Sequence, residues 1–154
     1  MSSIPFTDSC PTCNKDNAAL LSAGYIDSTG NLVAAHDAAT AHLGAPWRMP
    51  TDAEFSALLD NCTTEWIVTN GVFGRLVTGT GAYTSRSIFL PAAGSGDGSD
   101  LGDPGSEGRY WSSTPMSDAS GIACGLYFYS GIICRRGYGC NSGLSVRPVR
   151  DPTH

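Results

Sequence analysis

The last third of the chain decides its fold, and residues 110–150 read YWSSTPMSDASGIACGLYFYSGIICRRGYGCNSGLSVRPVR. This stretch begins with YWSST at 110–114 and ends with GLSVRPVR at 143–150, and both runs are typical of β-strands. Between them, Tyr, Cys, Ile, Arg, Ser, Asp, Asn and Gly follow one another without a motif. Two strands that belong to a fold therefore enclose a segment whose composition needs a different explanation.

The composition of the whole chain favours one loop-rich, mainly β domain. Its 154 residues suit a single domain and can bury a core without a metal or a disulfide. Only 15% of the residues are charged, whereas 19 Gly and 9 Pro interrupt the sequence. Short strands separated by many turns are typical of this balance.

Charge and hydropathy argue against several classes of partner. The net charge is −5 and Lys15 is the single lysine, so we expect no nucleic-acid partner. No run is long and apolar enough to span a bilayer, so we expect no membrane insertion. Residues 1–16 lack the basic start and apolar centre of a signal peptide, so we expect none in this chain.

The first of two predicted helices covers residues 31–43, after a flexible N-terminal segment at 1–22. Alanines are frequent in this stretch, and apolar residues from Leu32 to Leu43 recur at helical spacing. Gly44 is a typical residue to follow the end of such a helix.

The second predicted helix lies in WRMPTDAEFSALLDN at 47–61. Pro50 ends the preceding segment, Thr51 is the predicted N-cap, and Glu54 completes a capping box three residues later. Its predicted buried face consists of Phe55, Leu58 and Leu59.

After Asn61 the pattern changes to short strands separated by turn residues. An earlier short strand is predicted at 25–27, followed by a turn. The later predicted strands lie at 65–69, 74–78, 87–91, 110–114, 123–130, 132–138 and 145–149.

An acidic, glycine-rich loop, GSGDGSDLGDPGSEG, occupies residues 94–108. Asp97, Asp100 and Asp103 are weak candidates for calcium ligands, since calcium prefers clustered oxygen atoms. The loop lacks the spacing of an EF-hand, and its composition is equally typical of a solvated turn.

Cys10 and Cys13 form a CxxC without a second ligand pair, which favours an incidental pair over a metal or redox site. We expect no cofactor.

Four blocks resemble the bacterial and phage branch of the C-type lectin fold, which is related to the formylglycine-generating-enzyme domain. In chain order they are WRMPTDAEFSALL at 47–59, FLPAAG at 89–94, GRYWSST at 108–114 and GLSVRPVR at 143–150. The resemblance covers residues 32–150 and implies an α+β domain at 23–151. Two helices would pack on a small twisted antiparallel sheet with long loops, and the terminal strands would lie close together. Trp47, Trp66 and Trp111 would belong mainly to the core.

The segment between the terminal strands has the composition of a binding surface. Leu126 and Phe128 are predicted to point inward, which sends Tyr127 and Tyr129 outward because side chains alternate along a strand. Tyr and Arg supply much of the energy at many interfaces, while Ser, Gly and Asn supply adaptable hydrogen bonds.

Residues 117–150 also contain no Lys, Glu, Gln, Trp or Met, the five amino acids that no codon ending in C or T encodes. Randomising both adenines of AAC or AAT codons would leave this absence. The chain is thereby similar to the variable proteins of diversity-generating retroelements, whose lectin-fold domains carry a diversified segment near the C-terminus. This similarity implies a variable region at about 110–150 that ends in a fixed strand.

The predicted function is ligand binding, as a receptor-binding or display protein, without catalysis. The partner would be a protein or glycan on a cell surface. The chain would belong to a virion, such as a tail-fibre tip, or to an assembly displayed on a bacterial surface. The predicted ligand-binding residues are Ser117, Asp118, Ser120, Ile122, Cys124, Tyr127, Tyr129, Ile132, Ile133, Cys134, Arg135, Arg136, Tyr138, Cys140 and Asn141.

Two alternatives stay open at the level of sequence. An oxidase of the formylglycine-generating type would need a redox-capable pair, for which Cys134 and Cys140 are the candidates. A lectin-like adhesion module of fixed specificity would share the fold without the diversification. The Glu-Pro-Asn signature of calcium-dependent lectins is absent, which disfavours calcium-mediated sugar binding.

Overall fold

A computed structural model of the chain describes residues 15–117 and 120–151. Three residues that the sequence singled out, Cys10, Cys13 and Asp118, lie outside this part. The described part is mixed α/β, with few helices and several small antiparallel sheets. No helix within it is long and apolar enough to cross a membrane.

The helical elements are short. Two of them are single 3-10 turns, at Ala34–His36 and Gly81–Tyr83. The α-helices are α1 (Asn17–Ser22), α2 (Ala38–Leu43) and α3 (Asp52–Asn61).

The strands form four antiparallel sheets, with the orders β1-β10, β2-β3-β4, β5-β6 and β7-β8-β9. The strands are β1 (Trp47–Arg48), β2 (Cys62–Thr69), β3 (Val72–Gly79), β4 (Ser87–Pro91), β5 (Ser95–Asp97), β6 (Asp100–Gly102), β7 (Gly108–Pro115), β8 (Ile122–Phe128), β9 (Ile133–Gly139) and β10 (Val149–Arg150).

Most predicted strands are confirmed to within three residues at each end, but the predicted strand at 145–149 is wrong. Only Val149–Arg150 forms a regular strand there, and it pairs with β1. Ser145 instead makes an isolated bridge beside β7, where its amide donates to the Arg109 carbonyl at 3.0 Å. A proline at position 148 lacks the amide proton that a continuous ladder would need.

The predicted helix at 31–43 is wrong in its first half, because Asp37 interrupts it. The Asp37 side chain is 3% exposed and both carboxylate oxygens accept backbone protons. Oδ1 accepts from the Thr40 amide at 2.9 Å, and Oδ2 accepts from the Met49 amide at 2.8 Å. Asp37 is therefore the N-cap of a new helix, α2, and ties that helix to the segment before α3.

The N-terminal segment predicted to be flexible contains the helix α1. The Asp16 side chain caps α1 by accepting from the Ala19 amide at 2.8 Å. Leu20 in this helix is only 3% exposed, so α1 contributes a side chain to the interior.

Helix α3 confirms the predicted capping box. The Glu54 amide donates to Thr51 Oγ1 at 3.2 Å, and the Thr51 amide donates back to Glu54 Oε2 at 2.8 Å. Phe55 on the inner face of α3 is 5% exposed, while Leu58 and Leu59 pack against the core from its margin. This local pattern decides where the helix begins and which face it buries.

The core lies between α3, the β2-β3-β4 sheet and the β7-β8-β9 sheet. Trp66 packs at its margin, but Trp47 is 38% exposed, so the prediction that Trp47 belongs to the core is wrong. Trp47 lies in the two-residue strand β1, where only one short partner strand covers it. The buried members of the core are Phe55, Val77, Leu90, Ala92, Tyr110, Leu126 and Phe128.

The capping box should make part of the stability depend on pH. The Arg48 guanidinium, 2.7 Å from Glu54 Oε1, together with hydrogen bonds from Thr51, lowers the pKa of Glu54 below its usual 4.5. A lowered carboxyl pKa stabilises the folded state at neutral pH, and this contribution is lost as the pH falls through the folded-state pKa. Glu54→Gln should therefore lower the free energy of unfolding at pH 7 and flatten its decline between roughly pH 5 and pH 3.

The measurement is urea unfolding as a function of pH. Glu65→Gln, at an exposed position on β2, is the matched control and should keep the wild-type slope. Equal slopes for Glu54→Gln and the wild type would contradict this account.

Candidate ligand-binding surface

The hairpin of β8 and β9 carries most of the predicted ligand-binding residues, and its register divides them between two faces. Leu126 lies opposite Arg135, and Tyr127 lies opposite Cys134. Directly opposite residues share a face of an antiparallel pair, and successive residues alternate. The face turned toward the core and α3 carries Ile122, Cys124, Ile133 and Arg135. The other face, which we call the outer face, carries Tyr127, Cys134, Arg136 and Tyr138.

Arg135 is held by α3. Its Nη1 atom lies 2.5 Å from Asp52 Oδ2, and Asp52 is the first residue of that helix. Arg135 and Arg136 therefore do not act together, because adjacent strand residues point to opposite sides. The structure thus separates two arginines that the sequence placed in one surface.

Cys124 shares the core-side face with Arg135. Burial, followed by the nearby Asp52 carboxylate, raises the pKa of the Cys124 thiol. The thiol is therefore protonated at neutral pH, which is the unreactive form of a cysteine.

Ile122 and Cys140 line an apolar cavity rather than the open surface. The cavity has a volume of about 220 Å³ and lies between α1 and the start of β8. Leu20, Met49 and Trp111 form other parts of its wall. These two predicted residues therefore face the side of the domain where the N-terminal helix packs.

Tyr127 on the outer face is buried, so the prediction that it faces solvent is wrong. It is 7% exposed, and its hydroxyl donates to Glu107 Oε1 at 2.8 Å. The Arg136 guanidinium lies 4.2 Å from the centre of the Tyr127 ring, and that of Arg109 lies 5.9 Å from it. The Tyr129 ring adds further cover at 6.0 Å. Tyr127 therefore supports the outer face from below instead of forming its surface.

Glu107 holds two of the side chains that lie beneath the outer face, Tyr127 and Arg109. Its Oε1 accepts from Tyr127, and its Oε2 accepts from Arg109 Nη2 at 2.5 Å. Burial, followed by the hydrogen bond to Glu107, raises the pKa of Tyr127. The two guanidinium groups beside the ring act in the opposite direction, but they do not outweigh these effects.

Tyr138 forms the other end of the outer face. Its ring meets Trp111 edge-on, with centroids 6.0 Å apart and planes at 88°. Gly125 makes room for it, since a Cβ atom there would lie 3.1 Å from the Tyr138 ring and 2.7 Å from the Tyr110 carbonyl oxygen. The Tyr138 hydroxyl is buried without a hydrogen-bond partner among the described residues. Burial raises its pKa to about 12.

The hairpin tip presents two exposed hydrophobic side chains, Tyr129 at 40% and Ile132 at 39%. The Tyr129 amide donates to the Ile132 carbonyl at 3.0 Å and closes the turn. Beside the tip, Trp66 and Phe73 of the other sheet stack with centroids 6.1 Å apart. Together with Tyr129 they line an open groove of about 330 Å³.

Sequence reasoning missed Arg75, which holds the hairpin tip from β3. Arg75 is 7% exposed, and its Nη2 atom donates to the carbonyl oxygens of Tyr129 at 2.8 Å and Ser130 at 3.1 Å. A single arginine inside the apolar pattern VFGRLV at 72–77 was the available signal, since buried arginines are rare and must be paired. Arg75 thus fixes the tip to the neighbouring sheet.

The remaining predicted residues lie at the margins of the hairpin. Ser117, Ser120 and Asn141 are exposed, close to the loop that precedes β8 or directly after β9. Their positions make them part of the rim of the surface. Cys134 instead lies on the outer face opposite Tyr127, where it is half-buried and is a free thiol.

The acidic loop gives no support for a calcium site. Asp97 and Asp100 face each other across the β5-β6 hairpin, while Asp103 pairs with Arg109 at 3.3 Å. Across residues 15–117 and 120–151, no group of three or more His, Cys, Asp or Glu side chains is arranged to hold a metal ion.

Comparisons with known proteins found no match to this chain among family models, curated proteins or solved structures. The geometry of the hairpin and the composition of the last third therefore carry the functional argument.

The Tyr138 hydroxyl, which has no hydrogen-bond partner at 15–117 or 120–151, leads to a prediction about stability. A buried hydroxyl without a partner costs about 1–3 kcal/mol. Tyr138→Phe removes this group and keeps the contact with Trp111, so the free energy of unfolding should rise by about 1 kcal/mol. Tyr127→Phe is the matched control, because it removes a hydroxyl that is bonded to Glu107 and should lower the free energy by about as much. Urea unfolding measures the free energy of unfolding of both variants. A lower value for Tyr138→Phe as well as for Tyr127→Phe would contradict the conclusion that the Tyr138 hydroxyl lacks a partner.

Arg75 should control the order of the hairpin tip. Arg75→Met keeps an apolar chain of similar length but removes both hydrogen bonds to the tip. The Tyr129 amide should then exchange with deuterium about tenfold faster or more, since each lost bond is worth about 1 kcal/mol. Arg86→Met, at an exposed position, should leave that rate unchanged. A tip amide that exchanges at the wild-type rate in Arg75→Met would refute this role.

Proposed function

We propose that this chain is a variable ligand-binding protein of a diversity-generating retroelement. A constant scaffold of C-type lectin type would carry a C-terminal surface that adenine-directed mutagenesis alters. The observation that carries the proposal is the absence of Lys, Glu, Gln, Trp and Met throughout residues 117–150. Codons ending in C or T encode none of these five amino acids, so randomised AAC and AAT codons would produce none of them at the diversified positions.

The architecture supports the scaffold part of the proposal. The two-residue strands β1 and β10 pair, which brings the end of the domain beside the segment that precedes α3. Helix α3 packs against the β7-β8-β9 sheet, as the resemblance to the lectin fold leads one to expect. The Arg48 side chain joins these parts, since its Nη2 atom lies 2.7 Å from both Glu54 and Asp151.

The distribution of burial supports the surface part. Leu126 and Phe128 are fully buried, whereas Tyr129, Ile132 and Arg136 are exposed at the tip and on the outer face of the same hairpin. A segment that varies in sequence without loss of the fold needs this separation of core and surface. The ligand would be bound by burial of the exposed aromatic and aliphatic groups together with arginine contacts.

The proposed ligand is a protein or glycan on a cell surface, and no chemical reaction is proposed. The chain would act at a tail-fibre tip or in an assembly displayed on a bacterial surface. The oxidase alternative requires Cys134 and Cys140 to meet. Residues 134 and 139 lie within one extended strand and are roughly 16 Å apart at about 3.3 Å per residue. This separation disfavours a redox pair, because bonded cysteines have Cα atoms less than about 7 Å apart.

The DNA that flanks the gene distinguishes the proposed variable protein from a lectin-like module of fixed specificity. We expect an imperfect repeat of the sequence that encodes residues 117–150, which differs from it only at adenines, and a reverse transcriptase gene nearby. Sequencing the locus on both sides of the gene is the measurement. A locus without such a repeat would overturn diversification and leave the fixed-specificity module.

A further inference from the structure

We propose that Arg136 is the residue by which the outer face binds a carboxylate of a polypeptide partner, the side chain of an Asp or Glu. This inference rests on the proposed function, because it names the chemistry of the ligand for that same surface.

The Arg136 side chain packs on a ring, and no described residue accepts a hydrogen bond from its guanidinium. Its guanidinium lies over the Tyr127 ring at 4.2 Å, and Tyr127 is itself held by Glu107. Stacking on a ring occupies the flat face of a guanidinium and leaves the N–H groups at its edge free. These N–H groups have the spacing of a carboxylate, which they bind through two parallel hydrogen bonds.

The charge of Arg136 is not neutralised within the described part of the chain. Arg48, Arg109 and Arg135 each form an ion pair, with carboxylates at 2.5 to 3.3 Å. Arg136 has no such partner among the described residues. Since Glu107 is already occupied by Arg109 and Tyr127, an anion from outside can pair with Arg136 without displacing an internal contact.

Immobilisation makes such a group effective. A mobile arginine side chain loses rotamer entropy when it binds, and a side chain already stacked on a ring loses less. The Tyr127 ring on β8 has a guanidinium group from each neighbouring strand beside it, that of Arg109 on β7 and that of Arg136 on β9. The platform is therefore formed before the ligand arrives.

The neighbouring side chains favour a polypeptide over a glycan. Ile132 and Tyr129 at the hairpin tip, and Phe73 beside it, are between 39% and 45% exposed. Burial of an aliphatic group such as Ile132 against a partner would stabilise the complex. A hydroxyl-rich sugar offers little such area and would need polar partners here. A protein surface can place an acidic side chain beside apolar ones and satisfy both requirements.

The chemistry of the Arg136 platform is tested by NMR titration of the full chain with sodium acetate. The Arg136 Nε–Hε resonance should shift with saturation, ahead of that of the exposed Arg86, while acetamide should cause no such shift. In the wild type, acetate should also shift the resonances of the neighbouring Tyr127 and Tyr138. Arg136→Lys keeps the charge but lacks the planar donor pair, so these acetate-induced shifts should be lost in that variant. Acetate shifts of equal size at Arg86 and Arg136 would overturn the assignment.

The class of partner is tested by selecting binders from a displayed library of random peptides. Selected peptides should carry an Asp or Glu next to apolar residues. Arg136→Gln should lower the affinity for these peptides by about tenfold or more. Arg86→Gln is the matched control and should bind them as the wild type does. Peptides without acidic residues, an empty selection, or equal binding by Arg136→Gln would each refute the proposal. Binding to uronic or sialic acid glycans alone would show that the carboxylate belongs to a sugar.

These results are independent of the locus test. A missing adenine-specific repeat would leave the carboxylate site of a fixed surface intact. Failure of the acetate and peptide experiments would refute the Arg136 site and leave diversification standing.

Discussion

The packing of Phe128 over Gly108 is the contact on which the rest of the domain depends. Phe128 has no exposed surface, and a Cβ atom at position 108 would overlap its ring. Tyr110 stacks on the same ring at 5.9 Å, and Trp66 meets it edge-on at 6.5 Å, so side chains from both three-stranded sheets meet at Phe128. A slip of one residue in β8 would exchange its two faces, and this packing opposes such a slip. The register of β8 then decides which residues reach the outer face.

The outer face is built in layers, and the Tyr127 ring in its lower layer is held by residues outside the segment proposed to vary. Glu107 and Arg109 lie before that segment and hold the Tyr127 ring, on which Arg136 rests. Arg75 lies on another sheet and holds the hairpin tip through two carbonyl oxygens. Residues that the proposal treats as constant thus fix the positions of side chains that belong to the proposed variable part. Preorganisation of this kind reduces the entropy lost on binding, whatever ligand is bound.

Local patterns predicted the elements whose causes are local. The box of Thr51 and Glu54 located α3, and alternation of apolar residues located most strands to within a few residues. Features that depend on distant contacts escaped prediction. Asp37 breaks a helix because it binds the Met49 amide, and no pattern around 31–43 contains that partner. Tyr127 is buried by side chains from β7 and β9, although its place in the strand alternation is the predicted one.

The candidate surface was located by composition, but its membership required the register of the hairpin. Only pairing shows that Arg135 turns toward α3 while Arg136 turns outward. The central claim is that this fold keeps a rigid core beneath a surface free to vary. A yeast-displayed library of every single substitution at 108–141, sorted for protease resistance, tests it most directly. Tyr129, Ile132 and Arg136 should accept nearly all substitutions, whereas Gly108, Leu126 and Phe128 should accept few. Surface positions as intolerant as the core positions would contradict the claim.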